Sequence, residues 1–234
     1  SGAMAEISQG SLTEDSDATI VQQGTVLNEA SISQDGGSGN SSLITQNADD
    51  NIAQNTQTGS DNMSTIDQGS TPFFAGRASI FVDQIGDGNT SGILQRNDAG
   101  NQAISITQTG NLNTSTVNQG TSTVSGGNAF TLAQTGNSNS SLINQGFNSD
   151  NSSADVRQQG NGNTSVISQD TFLGASGHTI DLDQIADGAD SFIGQTGDRN
   201  SATVGQYGEA HISSVNQNGN GNVTIVTQGM PPAP

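Results

Sequence analysis

Residues 158–169 read Gln-Gln-Gly-Asn-Gly-Asn-Thr-Ser-Val-Ile-Ser-Gln. Within them Asn163, Ser165, Ile167 and Gln169 fall at every second position, which is the period of one face of a β-strand and not the 3.6 of a helix. A seven-residue strand of this kind spans about 23 Å. The Gly-Asn-Gly before it supplies the positive φ angles that a sharp reversal needs. The stretch therefore reads as one tight turn followed by one strand.

The same unit recurs along the chain. Its closing Gln appears as Gln9, Gln22, Gln34, Gln46, Gln57, Gln68, Gln84, Gln95, Gln108, Gln119, Gln134, Gln145, Gln158, Gln169, Gln184, Gln195, Gln206, Gln217 and Gln228, and ten of the 18 intervals are 11 residues. Two positions before the Gln stands Ile, Val or Leu in 18 of 19 units, with Asn55 the exception. Six before it Asn recurs, as at Asn113, Asn139, Asn163, Asn200 and Asn222; two after it Gly recurs. Repetition of this kind marks a solenoid or an array.

Odd and even units differ. Four residues before the Gln, every even unit but one carries Ser (Ser42, Ser64, Ser91, Ser115, Ser141, Ser165, Ser191, Ser213), and the departure is Ala18. The odd units carry Ala, Ile, Phe or Thr there, from Ala5 and Ala30 to Ala202 and Thr224. From Gln57 onward each odd-to-even step is 11 residues, whereas the even-to-odd steps absorb the insertions. Two chemically distinct columns and one constant corner predict an all-β fold: a flattened, two-sheet parallel β-solenoid with two strands per rung and about nine to ten rungs. Buried Asn and Gln are tolerable in such a stack because each hydrogen-bonds its own copy in the next rung. The Gln residues from Gln46 to Gln228 and the five Asn residues named above are the expected core ladder. The solenoid array is expected over 5–229, with 1–4 a tag remnant and 230–234 a Pro-rich tail.

Composition narrows the function. Of 234 residues 29% are hydrophobic and 3% aromatic, against roughly 45–50% apolar in ordinary globular domains. Order has to come from repetition. Four Arg or Lys against 22 Asp or Glu give a net charge of −18, which argues against a nucleic-acid partner or an anionic membrane surface. No apolar run approaches the roughly 20 residues of a membrane helix, so membrane insertion is not expected. Without Cys there is no disulfide frame and no thiol nucleophile. No catalytic residue, cofactor or metal is expected. His178 and His211 stand at the Asn position and are expected to be ladder residues. Asp181 and Asp183, with Asp187 and Asp190 in the next turn, read as a solvated acidic face.

The array resembles curlin repeats, whose pattern is Ser-x5-Gln-x-Gly-x-Gly-Asn-x-Ala-x3-Gln. Residues 158–169 and 217–228 are close copies, and the likeness runs from about Ile7 to Gln228. The resemblance implies a non-enzymatic structural subunit of an extracellular, curli-type bacterial amyloid fibre in the biofilm matrix. It also implies partners: other copies of the chain, a nucleator subunit and an outer-membrane secretion pore. The outermost units, with Ile7, Gln9, Ile20 and Gln22 at one end and Val215, Gln217, Val226 and Gln228 at the other, are the expected polymerisation ends. The alternative is a monomeric solenoid that binds a partner through the corner loops 69–80, 120–130 and 170–180, which carry Phe73, Phe74, Phe172 and Leu173.

Overall fold

The computed structural model describes residues 2–10, 14–23, 27–47, 49–69, 78–95, 99–119, 125–146, 151–171 and 177–231. Ten parallel strands form the first sheet: β1 (Met4–Gln9), β3 (Glu29–Asp35), β5 (Ile52–Thr58), β7 (Ser79–Ile85), β10 (Ala103–Thr109), β13 (Ala129–Thr135), β15 (Ser153–Gln159), β17 (Thr179–Asp187), β19 (Ser201–Glu209) and β21 (Val223–Gln228). Nine form the second: β2 (Asp17–Gln22), β4 (Ser41–Gln46), β6 (Met63–Gln68), β8 (Thr90–Gln95), β11 (Thr114–Gln119), β14 (Ser140–Gln145), β16 (Thr164–Thr171), β18 (Asp190–Asp198) and β20 (Ile212–Asn220). The chain alternates between sheets at every strand, so the fold is the two-sheet, two-strand-per-rung β-solenoid that the spacing predicts.

Register is set by the repeat. Gln108 lies on Gln84 and Gln134, and Gln119 on Gln95 and Gln145. A slip of one residue would turn every apolar side chain outward, so the strict period fixes the pairing. The Ser column runs through Ser115, Ser141 and Ser165 in the second sheet, and Ala154 lies on Ile180 in the first. Between the sheets sits one continuous thin core, in which Ile32, Ile44, Ile66, Ile143, Ile167 and Ile193 are fully buried. Asn55, the exception to the apolar rule, is buried too and donates to Ser42 Oγ across the core at 2.5 Å.

The constant corner explains its glycines. Gly86, Gly110, Gly136 and Gly160 have φ of 114° to 120°, and a Cβ on Gly136 would run into the carbonyl of Gly160 in the next rung. Corners also hydrogen-bond along the axis: Gly136 N donates to Thr109 O and Gly160 N to Thr135 O, both at 2.9 Å. At the variable corner two short strands, β9 (Ala99–Gly100) and β12 (Ser125–Gly126), pair in parallel. That pairing lies partly inside the expected loop 120–130 and has no signature in the repeat. Phe73, Phe74, Phe172 and Leu173 lie outside the described residues, as do 232–234. The first strand takes in Met4, one residue earlier than the expected array. Gly205, which the alternation points outward, is covered by the ring of Tyr207. No helix among the described residues is long and apolar enough to cross a membrane.

Candidate functional site: the stacked amide columns and the strand edges

Each strand of the two large sheets delivers one Gln in its C-terminal half, pointing inward. In the first sheet the Gln column is unbroken: Gln9, Gln34, Gln57, Gln84, Gln108, Gln134, Gln158, Gln184, Gln206 and Gln228 are joined Nε2 to Oε1 at 2.7–2.9 Å. The second-sheet column runs equally unbroken through Gln22, Gln46, Gln68, Gln95, Gln119, Gln145, Gln169, Gln195 and Gln217 at 2.5–3.3 Å. In both, the amide N–H points toward the higher-numbered rung.

The second N–H of the amide does something the repeat alone does not announce. The two sheets run in opposite directions, so the end of one strand faces the start of the strand before it. There Gln134 Nε2 donates to Thr114 O, Gln158 Nε2 to Ser140 O and Gln206 Nε2 to Asp190 O, at 3.0–3.1 Å. In the other direction Gln195 Nε2 donates to Thr179 O at 3.2 Å. Most of the Gln residues thus tie their rung to the next and their sheet to the opposite one, whereas Gln119 and Gln145 make the column bond. Unpaired buried amides would cost about 1–3 kcal/mol each, and the stack leaves these satisfied.

The Asn columns run the other way. Asn139 Oδ1 accepts from the backbone N and the Nδ2 of Asn163, while Asn139 Nδ2 donates to Asn113 Oδ1 and to Gly160 O. In the first sheet the acceptor changes from rung to rung. Asn128 Oδ1 accepts from Ser152 N, Ser152 Oγ from His178 N, His178 Nδ1 from Asn200 N, and Asn200 Oδ1 from Asn222 N. His178 is fully buried, with Nε2 3.1 Å from Asp170 O, so the ring is the Nε2–H tautomer. Burial pulls its pKa below 6.5, opposed by the hydrogen bond to the Asp170 carbonyl and by the charges of Asp198 and Asp170. His211 is partly exposed, and its Nε2 lies 2.9 Å from Tyr207 O. His178 is thus placed in the first-sheet column, whereas the His211 ring bonds within its own corner.

A third column went unnoticed in the sequence. Three residues after the first-sheet Gln, Asp87 Oδ1 accepts from Ser60 N, Asn111 Oδ1 from Asp87 N, Asn137 Oδ1 from Asn111 N, Asn161 Oδ1 from Asn137 N and Asp187 Oδ1 from Asn161 N. The recurrence of Asp or Asn at that position was the available signal. Asp187 therefore serves the corner.

On the outer face of the first sheet Asp155 lies beside Asp181, and Arg157 beside Asp183. Partial burial raises the Asp155 and Asp183 carboxyls above their ordinary pKa, with Asp181 adding to both and Arg157 opposing at Asp183. Among the described residues no cluster of three or more His, Asp or Glu could hold a metal ion.

The expected end residues lie in the outermost strands. Ile7 is 47% exposed; Gln9 shares β1 with it, and Ile20 and Gln22 lie in β2. At the other end Val215 and Gln217 are buried, Val226 is partly covered, and the neighbouring Val223 and Ile225 are 72% and 73% exposed. β1 and β2, like β20 and β21, have a hydrogen-bonded strand on one side only.

No curated protein matches the chain. The family model described as curlin associated repeat matches it twice, at residues 149–185 and 197–229. These stretches hold Gln158, Gln169 and Gln184, then Gln206, Gln217 and Gln228, and the same two columns continue through the rungs outside them. These two stretches carry the curlin associated repeat.

Proposed function

We propose that this chain is the structural subunit of a curli-type extracellular bacterial fibre, lengthening by end-to-end stacking of solenoids into a continuous cross-β column. The observation that supports it is the pair of unbroken, directional Gln columns. Every rung presents to the next the same backbone edge, the same amide donors and the same apolar positions, so a second copy meets what an internal rung meets. The curlin repeat likeness points the same way, since that family is structural and not enzymatic. By the same likeness the fibre would be exported through an outer-membrane pore, started by a nucleator subunit, and would serve matrix cohesion and surface adhesion.

Purified chain incubated near neutral pH is expected to give filaments by negative stain and a thioflavin response, with the roughly 4.8 Å meridional spacing of stacked strands. Protein that stays monomeric at high concentration, without filaments, would sink the proposal. With a net charge of −18 copies repel one another, so assembly is expected to accelerate as ionic strength rises toward 0.15 M, where the screening length falls to about 8 Å. Equal rates at low and moderate salt would contradict that.

A further inference from the structure

Resting on the fibre reading above, the structure assigns a geometry to the junction. We propose that successive copies are related by a half-turn about the solenoid axis, so that β1 of one copy stacks on β20 of its neighbour and β2 on β21. The partner is a second copy of the chain, and the two docking surfaces are the lower edge of β1 and β2 and the upper edge of β20 and β21.

The first argument is parity. A solenoid with two strands per turn places successive strands half a rung apart and on opposite sides of the axis. Among the described residues the first sheet has ten strands and the second nine, so β21 ends half a rung above β20. In a polymer of these residues, an unrotated copy would set β1 on β21, and β2 would then find a vacant rung between itself and β20. That vacancy would leave unpaired backbone N–H and C=O groups on both sides, each costing about 1–3 kcal/mol. Rotating the copy by a half-turn puts β1 one rung above β20 and β2 one rung above β21, and no strand is missing. The rise per copy becomes nineteen half-rungs, about 45 Å at about 4.8 Å per rung.

The corners carry the second argument. A half-turn stacks the two kinds of corner on each other, which would clash in the middle of the array, where one corner carries the insertions. Toward β21 the two kinds converge. Gly197, Gly208 and Gly219 follow second-, first- and second-sheet Gln residues, yet have φ of 117°, 108° and 118°. Two residues on, Arg199, Ala210 and Gly221 are all left-handed, at 50°, 51° and 69°. At this end the two kinds of corner share the same turn angles.

Column chemistry is the third. Ala18 is the one second-sheet strand residue that lacks Ser at its position, and Thr224 is the one first-sheet residue there with a hydroxyl. Both lie in strands that meet across the rotated junction, where the Ala column of one copy has to hand over to the Ser column of the next. The direction of the Gln columns supplies the polarity: Gln228 Nε2 ends its column with no Gln above it, Gln217 Nε2 is taken up by Ser201 O and Thr224 Oγ1, and Gln9 and Gln22 begin the columns at their Oε1 ends, so unlike ends meet.

Disulfide trapping separates the arrangements, because the chain has no Cys of its own and Ser8, Asn216 and Thr227 are all exposed and outward on their strands. Parallel neighbours in register bring Cα atoms to about 4.8 Å, inside the roughly 4.4–6.8 Å that a disulfide needs. Fibres of the S8C/N216C variant, oxidised after assembly, are expected to give a ladder of covalent multimers on a non-reducing gel. Fibres of S8C/T227C are expected to give on the order of tenfold less, since the half-turn puts those residues on opposite faces, farther apart than a disulfide reaches. The reverse result overturns the half-turn while leaving the fibre reading intact. Abundant fibres with neither cross-link overturn end-to-end stacking in this register. If neither the unmodified chain nor either variant makes filaments, the fibre reading fails and takes the junction with it.

Discussion

The two amide columns of each strand do different work, although both are polar, buried and repeated. At the C-terminal end of the strand the position never varies: Gln stands there in every rung, bonded to its copy above and below. At the N-terminal end Asn gives way to Ala78, Gln102, Ser152, His178, Ala189 and His211; backbone pairing continues through all six, although Ala78 and Ala189 interrupt the side-chain column. The difference follows from what each side chain must reach. Gln has to span the core to a carbonyl of the opposite sheet while also joining its own column, which requires a primary amide on two methylenes. The Asn position mainly has to accept the next rung's backbone N–H, and Oδ1, a Ser hydroxyl or a neutral imidazole nitrogen all do so.

The sharpest break of that contrast is Gln134→Ala in the middle of the stack. It removes the acceptor of Gln108 Nε2, the donor to Gln158 Oε1 and the donor to Thr114 O at once, all in a buried site. A loss of about 3–5 kcal/mol is expected, read by denaturant unfolding of the monomer. A loss below about 1 kcal/mol would mean that the column is decoration. Next in size is Gly136→Ala, expected to cost about 2–4 kcal/mol, because the new methyl meets the Gly160 carbonyl at a φ of 115°. Equal stability of this variant and its parent would show that the corner can rearrange.

How much of this is legible in the sequence follows from the same contrast. Strand period, register, the two-sheet architecture and the Gln column are visible because any property required in every strand of the two large sheets is written nineteen times. Gln134 to Thr114 O is not visible, because it depends on the offset between opposed sheets, and a linear repeat says nothing of that offset. The corner acceptors Asn111, Asn137 and Asn161 were hidden for a different reason: Asn and Asp are common turn residues, so their recurrence reads as turn propensity. The pairing of β9 with β12 could not be anticipated at all, since Ala-Gly and Ser-Gly in two insertions share no pattern.

Tolerance at the Asn position is tested by Asn139→Ala against Asn139→Ser. The Ala variant leaves Asn163 N without its acceptor and is expected to lose about 1–3 kcal/mol. Ser is expected to recover more than half of that, as Ser152 does for His178 N. If the two variants were equally destabilised, acceptance of the backbone N–H would not be what the column supplies.

His178 offers the finest test, because its acceptor can be switched off by a proton. In the folded chain Nδ1 takes the Asn200 N–H and Nε2–H gives to Asp170 O, so the ring has a use for one proton and none for two. The folded pKa lies below 6.5 because of burial, and the unfolded chain therefore takes up a proton first as pH falls. Stability linked to this site is present above about pH 6.5 and is lost as pH falls through the lower, folded value. The carboxyls of Asp155 and Asp183, raised by burial, act in the opposite sense: they stabilise the fold as they protonate, but in the carboxylate range, near or above pH 4. Measurements between pH 7.5 and 5.5 weight the histidine over them. There the parent is expected to lose stability and the His178→Asn variant to hold nearly level, while the Asn200 amide exchanges faster in the parent at the acid end. Parallel pH profiles for the two proteins would show that the imidazole is only a spacer in the column.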